Sequence, residues 1–122
     1  MAFKQGTERT EEFRVEGELL TDVDGTLPMP VLSSPGMISM MELAASNLVR
    51  DDLPPGHATV GFEVNVRHVG GALAGAECTA TAHLSEVIDG RKLRFDVEVK
   101  EGARTIGVGT HERRMISVSP EV

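Results

Sequence analysis

The spacing of apolar residues predicts a single helix in this chain, over Ser33–Arg50. Apolar residues recur there at the i, i+3, i+4, i+7, i+8 and i+11 positions of one helical face: Met37, Met40, Met41, Ala44, Ala45 and Leu48. Either Ser33 or Ser34 can cap the first turn, and Pro35 suits the first helical position. Glu42 lies at the border of the apolar face, where a carboxylate is either solvated or placed for chemistry.

Alternating apolar and polar residues predict five strands. The first covers Phe13–Leu19, after an N-terminal segment (1–10) that we expect to be flexible, and a long loop, Thr21–Leu32, leads into the helix. The others follow the helix and are joined mainly by short turns: Ala58–His68, Ala76–Ser85, Lys92–Lys100 and Thr105–Val118. A helix and a sheet that each have one apolar face can bury both by packing together. We therefore predict one α+β domain over residues 1–122, with an antiparallel five-stranded sheet around one central helix.

Two strands carry features that bear on a site. The first strand after the helix alternates without interruption, and one face is predicted to hold Val60, Phe62, Val64 and Val66. His68 continues that face at the end of the strand. Gly107 and Gly109 in the last strand indicate a bulge or a close backbone approach.

Composition excludes several classes of function. The formal net charge is −7 and there is no basic run, so nucleic-acid binding is not expected. The single cysteine, Cys78, rules out an internal disulfide, which favours a reducing, cytoplasmic location. No apolar run approaches the length of a membrane span, and the N-terminus lacks the apolar region of a signal peptide.

Several kinds of site can also be set aside. The four histidines and the cysteine do not have zinc-ligand spacing, so no metal site is predicted. The glycines form no phosphate-binding fingerprint, and there is no Gly-x-Ser-x-Gly elbow. Cys78 lies on the apolar side of its strand, where a buried, inert thiol is expected.

Ser34, Glu42 and His68 together supply the parts for water activation or acyl transfer beside a helix N-terminus. Each also has an ordinary structural explanation: Ser34 as helix cap, Glu42 as rim carboxylate, and His68 as a histidine at the edge of the core. Eight residues of ideal helix separate Ser34 and Glu42 by roughly 12 Å along the axis. They can meet only if the Ser34 loop folds back, or they line opposite ends of one substrate site.

These elements and motifs resemble a known family. A strand, a helix and four further strands resemble the hotdog fold, in which a sheet wraps one helix and dimers pair their sheets edge to edge. Within that fold the chain is similar to the fluoroacetyl-CoA thioesterase-like group. The matching stretches are Val31–Met37 with Met41-Glu42, Val60-Gly61, Val66–His68, Gly90–Leu93 and Ile106–Arg113.

The resemblance implies roles for individual residues. Ser34 stands where the family has its catalytic Thr, Glu42 where it has its catalytic Glu, and His68 where it has its catalytic His. Gly61 matches a backbone position near the thioester, and Arg113 matches an Arg that supports the catalytic carboxylate. We group Gly61 and Arg113 as substrate-binding residues.

The remaining expectations concern the acyl group and the binding of CoA. The loop 21–30 has no Phe where the fluoroacetyl-specific enzyme carries an aromatic gate, so we expect a different acyl group. CoA is expected as part of the substrate, with no separate cofactor. Cations for its phosphates could come from side chains that serve equally well as ordinary surface charges: Arg50, Arg67, Arg91, Lys92 and Arg114.

The leading hypothesis is therefore an acyl-CoA thioesterase that acts as a homodimer or higher oligomer, since one edge of a five-stranded sheet must be covered. The alternative is a non-catalytic hotdog module that binds an acyl-CoA or another apolar small ligand, because a fold alone does not establish an activity. A hotdog dehydratase acting on 3-hydroxyacyl thioesters is a third possibility, disfavoured by the Ser34, Glu42 and His68 set.

Overall fold

One antiparallel sheet and one long helix account for most of the structure, a computed structural model that describes residues 3–118. The elements in chain order are β1 (Glu8–Arg14), β2 (Leu20–Thr21), β3 (Val31–Leu32), α1 (Ser34–Val49), β4 (His57–His68), β5 (Glu77–Ile88), β6 (Lys92–Glu101) and β7 (Arg104–Ser117). The large sheet has the order β1-β5-β6-β7-β4, and all its pairings are antiparallel. This confirms the predicted five-stranded antiparallel sheet.

Helix α1 contacts all five strands of the large sheet, as the amphipathic pattern predicted. Its buried residues include the predicted Met37, Met40, Met41, Ala44 and Ala45, whereas Leu48 is only partly buried and Val49 is buried in addition. These side chains pack on the inward-facing residues of β5 and β6, among them Cys78, Leu84 and Phe95. Within residues 3–118, no helix has the length and apolar character needed to cross a membrane.

The first strand begins earlier than predicted. Strand β1 starts at Glu8 rather than Phe13, and Gly17–Leu19 forms a 3-10 turn instead of extended backbone. Residues 8–10 of the expected flexible segment therefore pair with β5. The apolar pattern missed this part of the strand because a polar contact replaces apolar packing there. The carboxylate of Glu11 accepts a hydrogen bond of 3.0 Å from Asn47 of α1.

A bulge in β4 overturns the uninterrupted alternation predicted for that strand. Gly61 lies opposite Arg113 and Glu63 opposite Glu112, so Phe62 is an extra residue on β4. The bulge reverses which residues face the helix on either side of it. Val60 pairs with outward-facing Arg114, whereas Val64, Val66 and His68 pair with inward-facing residues of β7. Val60 and Phe62 therefore do not share the face of His68.

Strand β4 is an edge of the sheet and leaves apolar side chains exposed. Val60, Phe62 and Val64 are exposed by 42%, 58% and 40% of their area. Next to β4, the glycines of β7 permit the close backbone approach predicted from the sequence. A Cβ atom on Gly107 would collide with Met37 of α1, and one on Gly109 would collide with the backbone of Asn65 and Val66. Both glycines are thus required where β7 passes under α1 and beside β4.

Candidate active site

Two adjacent serines at the N-terminus of α1 make different hydrogen bonds. The Ser33 hydroxyl caps the helix, accepting a hydrogen bond of 2.9 Å from the Gly36 amide. The Ser34 hydroxyl is not needed as a cap, and its Oγ lies 2.8 Å from Nδ1 of His68. Of the two serines predicted as possible caps, Ser33 is therefore the one that caps the helix. This leaves Ser34 in a hydroxyl–imidazole pair at the positive end of the helix dipole.

The other ring nitrogen of His68 is buried, and its Nε2 has no hydrogen-bond partner among the described residues. A buried polar atom without a partner costs about 1–3 kcal/mol, and each such atom in a folded protein calls for an explanation, a catalytic role or a bound water among them. Ser34 and His68 border a shallow pocket of about 420 Å³, together with residues from the end of the long loop and from the turn after β4. These further lining residues are Val31, Leu32, Val69, Gly70 and Gly71.

Glu42 lies on α1 beside the bulge of β4. Its side chain keeps 40% of its area exposed. A Cβ atom built on Gly61 would stand 2.8 Å from Glu42 Oε2, so the carboxylate rests directly against the glycine backbone. Any larger residue at this position would displace the carboxylate. Gly61 therefore creates the space in which Glu42 sits.

Arg113 on β7 lies under Glu42 and is almost fully buried. Its Nε donates to Oγ1 of Thr59 at 2.9 Å and its Nη2 to the Thr59 carbonyl at 3.0 Å. The remaining nitrogen, Nη1, is 3.8 Å from Glu42 Oε2. Burial lowers the pKa of Arg113, and the charge of Glu42 opposes that shift. A guanidinium stays protonated even so, and here it supports the carboxylate from below.

His111 completes this group of side chains, and our reading of the sequence assigned it no role. It is buried, stacks on Phe95 with ring centroids 6.1 Å apart, and lies 3.3 Å from Arg113 Nη1 through Nε2. Two sequence signals could have found it. It shares the side of β7 that carries Arg113 two residues later, and it belongs to the Gly-Thr-His-Glu-Arg stretch that resembles the family.

The two groups of side chains lie apart within one chain. No hydrogen bond or ion pair among residues 3–118 joins Glu42 to Ser34 or His68. Glu42 rests on Gly61, and His68 is seven residues further along β4, which is roughly 20 Å at the rise of an extended strand. Side chains reach only part of that distance. The predicted separation of Ser34 and Glu42 along the helix therefore persists in the fold, and the Ser34 loop does not fold back.

Other residues considered for chemistry have ordinary environments. Cys78 is buried as predicted, and burial raises the pKa of its thiol, which disfavours the reactive thiolate. Among the described residues, no three His, Cys, Asp or Glu side chains cluster as potential metal ligands. Of the candidate CoA cations, Arg114 is engaged by Glu112 at 2.6 Å and lies over the Phe62 ring. Arg67 is exposed on β4 next to His68.

Comparison with known proteins places this geometry in a family. The sequence model of the FlK family, described as fluoroacetyl-CoA-specific thioesterase, matches residues 15–119. The chain belongs to this family. A fluoroacetyl-CoA thioesterase from Streptantibioticus cattleyicolor is 36% identical over 80 residues, which cover 66% of this chain and 57% of that protein. The match thus spans little more than half the length of that relative.

Solved structures extend the likeness to the whole fold. A phenylalanine-to-alanine variant of FlK in complex with fluoroacetate and CoA is 27% identical, covers 95% of this chain and 97% of its own, and has a TM-score of 0.87. A thioesterase superfamily member from Thermus thermophilus is also 27% identical, covers 93% and 84% of the two chains, and has a TM-score of 0.83. The predicted hotdog fold and the family resemblance are both confirmed.

Proposed function

We propose that this protein hydrolyses an acyl-CoA thioester to a free acid and CoA. The observation that carries the proposal is the Ser34–His68 pair at the N-terminus of α1, combined with the Glu42 carboxylate on the same helix, which Arg113 of β7 supports. Family membership supports the reaction class, because the matching family is described as a thioesterase. Ser34, Glu42 and His68 are proposed as the catalytic residues, and Gly61 and Arg113 as the residues that position substrate and carboxylate.

Two routes fit the side chains. In the first, Glu42 attacks the thioester carbonyl, the C–S bond breaks, and water then hydrolyses the resulting anhydride. In the second, Glu42 takes a proton from a water molecule whose oxygen attacks the same carbonyl carbon. In both, the imidazole of His68 delivers a proton to the departing thiolate, and Ser34 relays that proton or orients the carbonyl. The products of either route are the acid and CoA-SH.

Charge develops on the carbonyl oxygen in either route, and backbone amides can stabilise it. In the first turn of α1, the amides of Gly36 and Met37 donate to the hydroxyl and the carbonyl oxygen of Ser33, and Pro35 has no amide hydrogen. The Ser34 amide is then the donor left at the positive end of the helix dipole. We assign it, together with the backbone at Gly61, to the oxyanion.

The separation of the two groups is overcome if two copies pair through β4. This strand is a long edge with exposed Val60, Phe62 and Val64, and an uncovered edge of this kind invites pairing. An antiparallel pair with its two-fold axis near Val64 and Asn65 sets His68 of one copy opposite the second copy's Gly61, and hence near its Glu42. We therefore propose a homodimer whose two sites each combine the Ser34–His68 pair of one protomer with the Glu42 group of the other.

The substrate is proposed to carry an acyl group other than fluoroacetyl. The loop between β2 and β3 holds aliphatic side chains, Val23, Leu27 and Met29, and no aromatic ring. That loop leads directly into Val31 and Leu32, which line the Ser34–His68 pocket. Arg67 is the proposed contact for a CoA phosphate. The single cysteine is the ground for proposing a cytoplasmic location.

Thiol release tests the function directly. Purified protein is incubated with fluoroacetyl-CoA, acetyl-CoA, isobutyryl-CoA and benzoyl-CoA, beside the Glu42→Ala and His68→Ala variants. We expect CoA release well above background from wild type and its loss in both variants, with a substrate other than fluoroacetyl-CoA preferred. Silence of the wild type across the panel, with saturable binding of the same esters, would instead identify a binding module.

A further inference from the structure

His111 sits at the centre of the group that supports Glu42, although it does not touch the carboxylate. It pairs with Val64 on β4 and Phe95 on β6, and only 2% of its surface is exposed. Its ring stacks on Phe95 at an interplanar angle of 27°. Burial and stacking on Phe95 therefore restrict the plane of the imidazole, and with it the direction of its two nitrogen atoms.

The neighbours of those nitrogens determine the protonation state. Nδ1 lies 2.8 Å from the carbonyl oxygen of Glu63, which only accepts, so the hydrogen is on Nδ1. Nε2 lies 3.3 Å from Nη1 of Arg113, which only donates, so Nε2 must present its lone pair. Both contacts can be made only by the neutral ring with its hydrogen on Nδ1. A protonated ring would lose the second contact and place two cations side by side.

Three neighbouring residues define the orientation of the Arg113 guanidinium. The hydroxyl and carbonyl oxygens of Thr59 accept hydrogen bonds from Nε and Nη2 of Arg113. Only Nη1 is left for the remaining neighbours, and it is shared between His111 Nε2 and Glu42 Oε2. Because a guanidinium is planar and its donors form a rigid fork, the contact of Nη1 with His111 adds to the two hydrogen bonds to Thr59 and prevents the group from tilting.

We propose that His111 is a positioning residue: it anchors the Arg113 guanidinium to the bulge of β4, so that Nη1 faces the Glu42 carboxylate. The proposal rests on the proposed function, in which Glu42 attacks the thioester or activates water. The charged groups that face His111 are Arg113 and Glu42. Burial lowers the pKa of His111 and the Arg113 charge adds to the shift, while the hydrogen bond to Glu63 and the Glu42 charge oppose it. The balance keeps the ring neutral at pH 7.

Kinetics of His111→Asn test this role. The shorter amide can still donate to the Glu63 carbonyl in place of Nδ1, but it cannot reach Arg113. Misplacing a catalytic group by about 1 Å can reduce the rate by about a hundredfold, so we expect kcat on the best panel substrate to fall tenfold to a hundredfold, by the same principle, with KM within about twofold. The matched control is His83→Asn on the polar side of β5, which should behave as wild type.

A double-mutant cycle separates positioning from general destabilisation. If His111 acts through Arg113, adding His111→Asn to Arg113→Lys should change kcat by less than about twofold, because the guanidinium is already gone. A full additional loss in the Arg113→Lys background would overturn the proposal. A rise in KM with unchanged kcat, or wild-type kinetics for His111→Asn, would overturn it as well.

Nitrogen-15 NMR of the histidine rings in the wild type gives a readout that needs neither turnover nor a stable variant. We expect His111 to show the neutral tautomer with hydrogen on Nδ1 at pH 7, together with a slowly rotating Arg113 guanidinium. The opposite tautomer or a charged ring would refute the proposal. An inactive protein with the expected NMR signals would show that the proposed function fails while the anchoring of Arg113 by His111 stands.

Discussion

The two side-chain groups along β4 are built in opposite ways. At the end of the strand, Ser34 and His68 share one hydrogen bond, and His68 Nε2 has no partner among the described residues. At the bulge, Glu42 rests on Gly61 and is backed by Arg113, which Thr59 and His111 hold in turn. The first group leaves one ring nitrogen without a partner, whereas the second is supported by several contacts. Such a division suits a reaction in which a carboxylate acts from a set position while an imidazole moves protons.

The largest loss of activity should come from a change to Glu42, in the group at the bulge. Glu42→Gln keeps the size of the side chain and removes its charge, so neither attack on the thioester nor activation of water remains. We expect kcat to fall by roughly a hundredfold to ten-thousandfold, the range of acid–base contributions, with KM little changed. Thiol release measures both constants.

The control for this change is Glu63→Gln. Its side chain is exposed on the same strand, and only its backbone carbonyl takes part in the network. An equal loss of activity in Glu63→Gln would show that charge on β4 in general, and not the Glu42 carboxylate, sustains the reaction.

Disrupting the proposed pairing of two copies should have the next largest effect. Val64→Lys places a charge in the middle of the exposed edge, where pairing with a second β4 would have to bury it. We expect the molar mass from light scattering to fall from dimer to monomer, and kcat/KM to fall at least about a hundredfold because the two groups no longer meet. Glu12→Lys on β1, the opposite edge, should leave the mass unchanged. A monomeric Val64→Lys protein with full activity would contradict the shared site.

The Ser34–His68 group should tolerate more change. Ser34→Ala removes the hydroxyl but leaves the Ser33 cap and the helix intact, so we expect kcat to fall about tenfold and the melting temperature to stay within about 2 °C. Ser34→Thr should retain most of the activity, since the resemblance places a Thr here in the family. A loss in Ser34→Ala as large as that in Glu42→Gln would contradict the difference expected between the two groups.

The smallest expected effect is on the pH dependence of the free energy of unfolding. The pKa of His111 in the folded protein lies below its ordinary value of 6.5, chiefly because the ring is buried. As pH falls below about 6.5, the unfolded chain binds a proton that the folded protein does not, so the free energy of unfolding should decrease, by at most about 1.4 kcal/mol per pH unit. Urea titrations between pH 7 and 5 should show this slope in wild type and in His83→Asn, and a flatter one in His111→Asn. An unchanged slope in His111→Asn would assign the effect to another group.

The architecture was predictable because its signals are local. The i, i+3, i+4 spacing of Met37, Met40 and Met41 predicted the helix face, and alternation predicted β5 and β6 with their inward residues. The last strand, β7, was predicted without an assignment of its inward residues. The bulge at Phe62 was not predictable in this way. An extra residue in an apolar run still alternates in the sequence, and only the register against β7 shows that the side of the strand has changed. The start of β1 was missed because Glu11 makes a polar contact where an apolar residue was expected.

For the site, the sequence supplied residue types and the separation of Ser34 and Glu42 along the helix, and the resemblance supplied roles, but neither placed His68 relative to Glu42. The sequence left open which serine caps the helix, and the structure shows that Ser33 is the cap. His111 escaped notice because one buried histidine in a strand has no spacing pattern of its own. Two of its partners, Glu63 on β4 and Phe95 on β6, come from separate strands that only the folded sheet brings next to it.

Mixed dimers test the central claim, that each site joins two protomers. Glu42→Gln and His68→Ala proteins, each inactive alone, are unfolded together in equal amounts and refolded. Random pairing makes half of the dimers mixed, and each mixed dimer has one site with both native residues, so the account predicts recovery of about a quarter of wild-type activity. No recovery, with mixed dimers verified by mass spectrometry, would show that all three residues act within one chain, and would contradict the account.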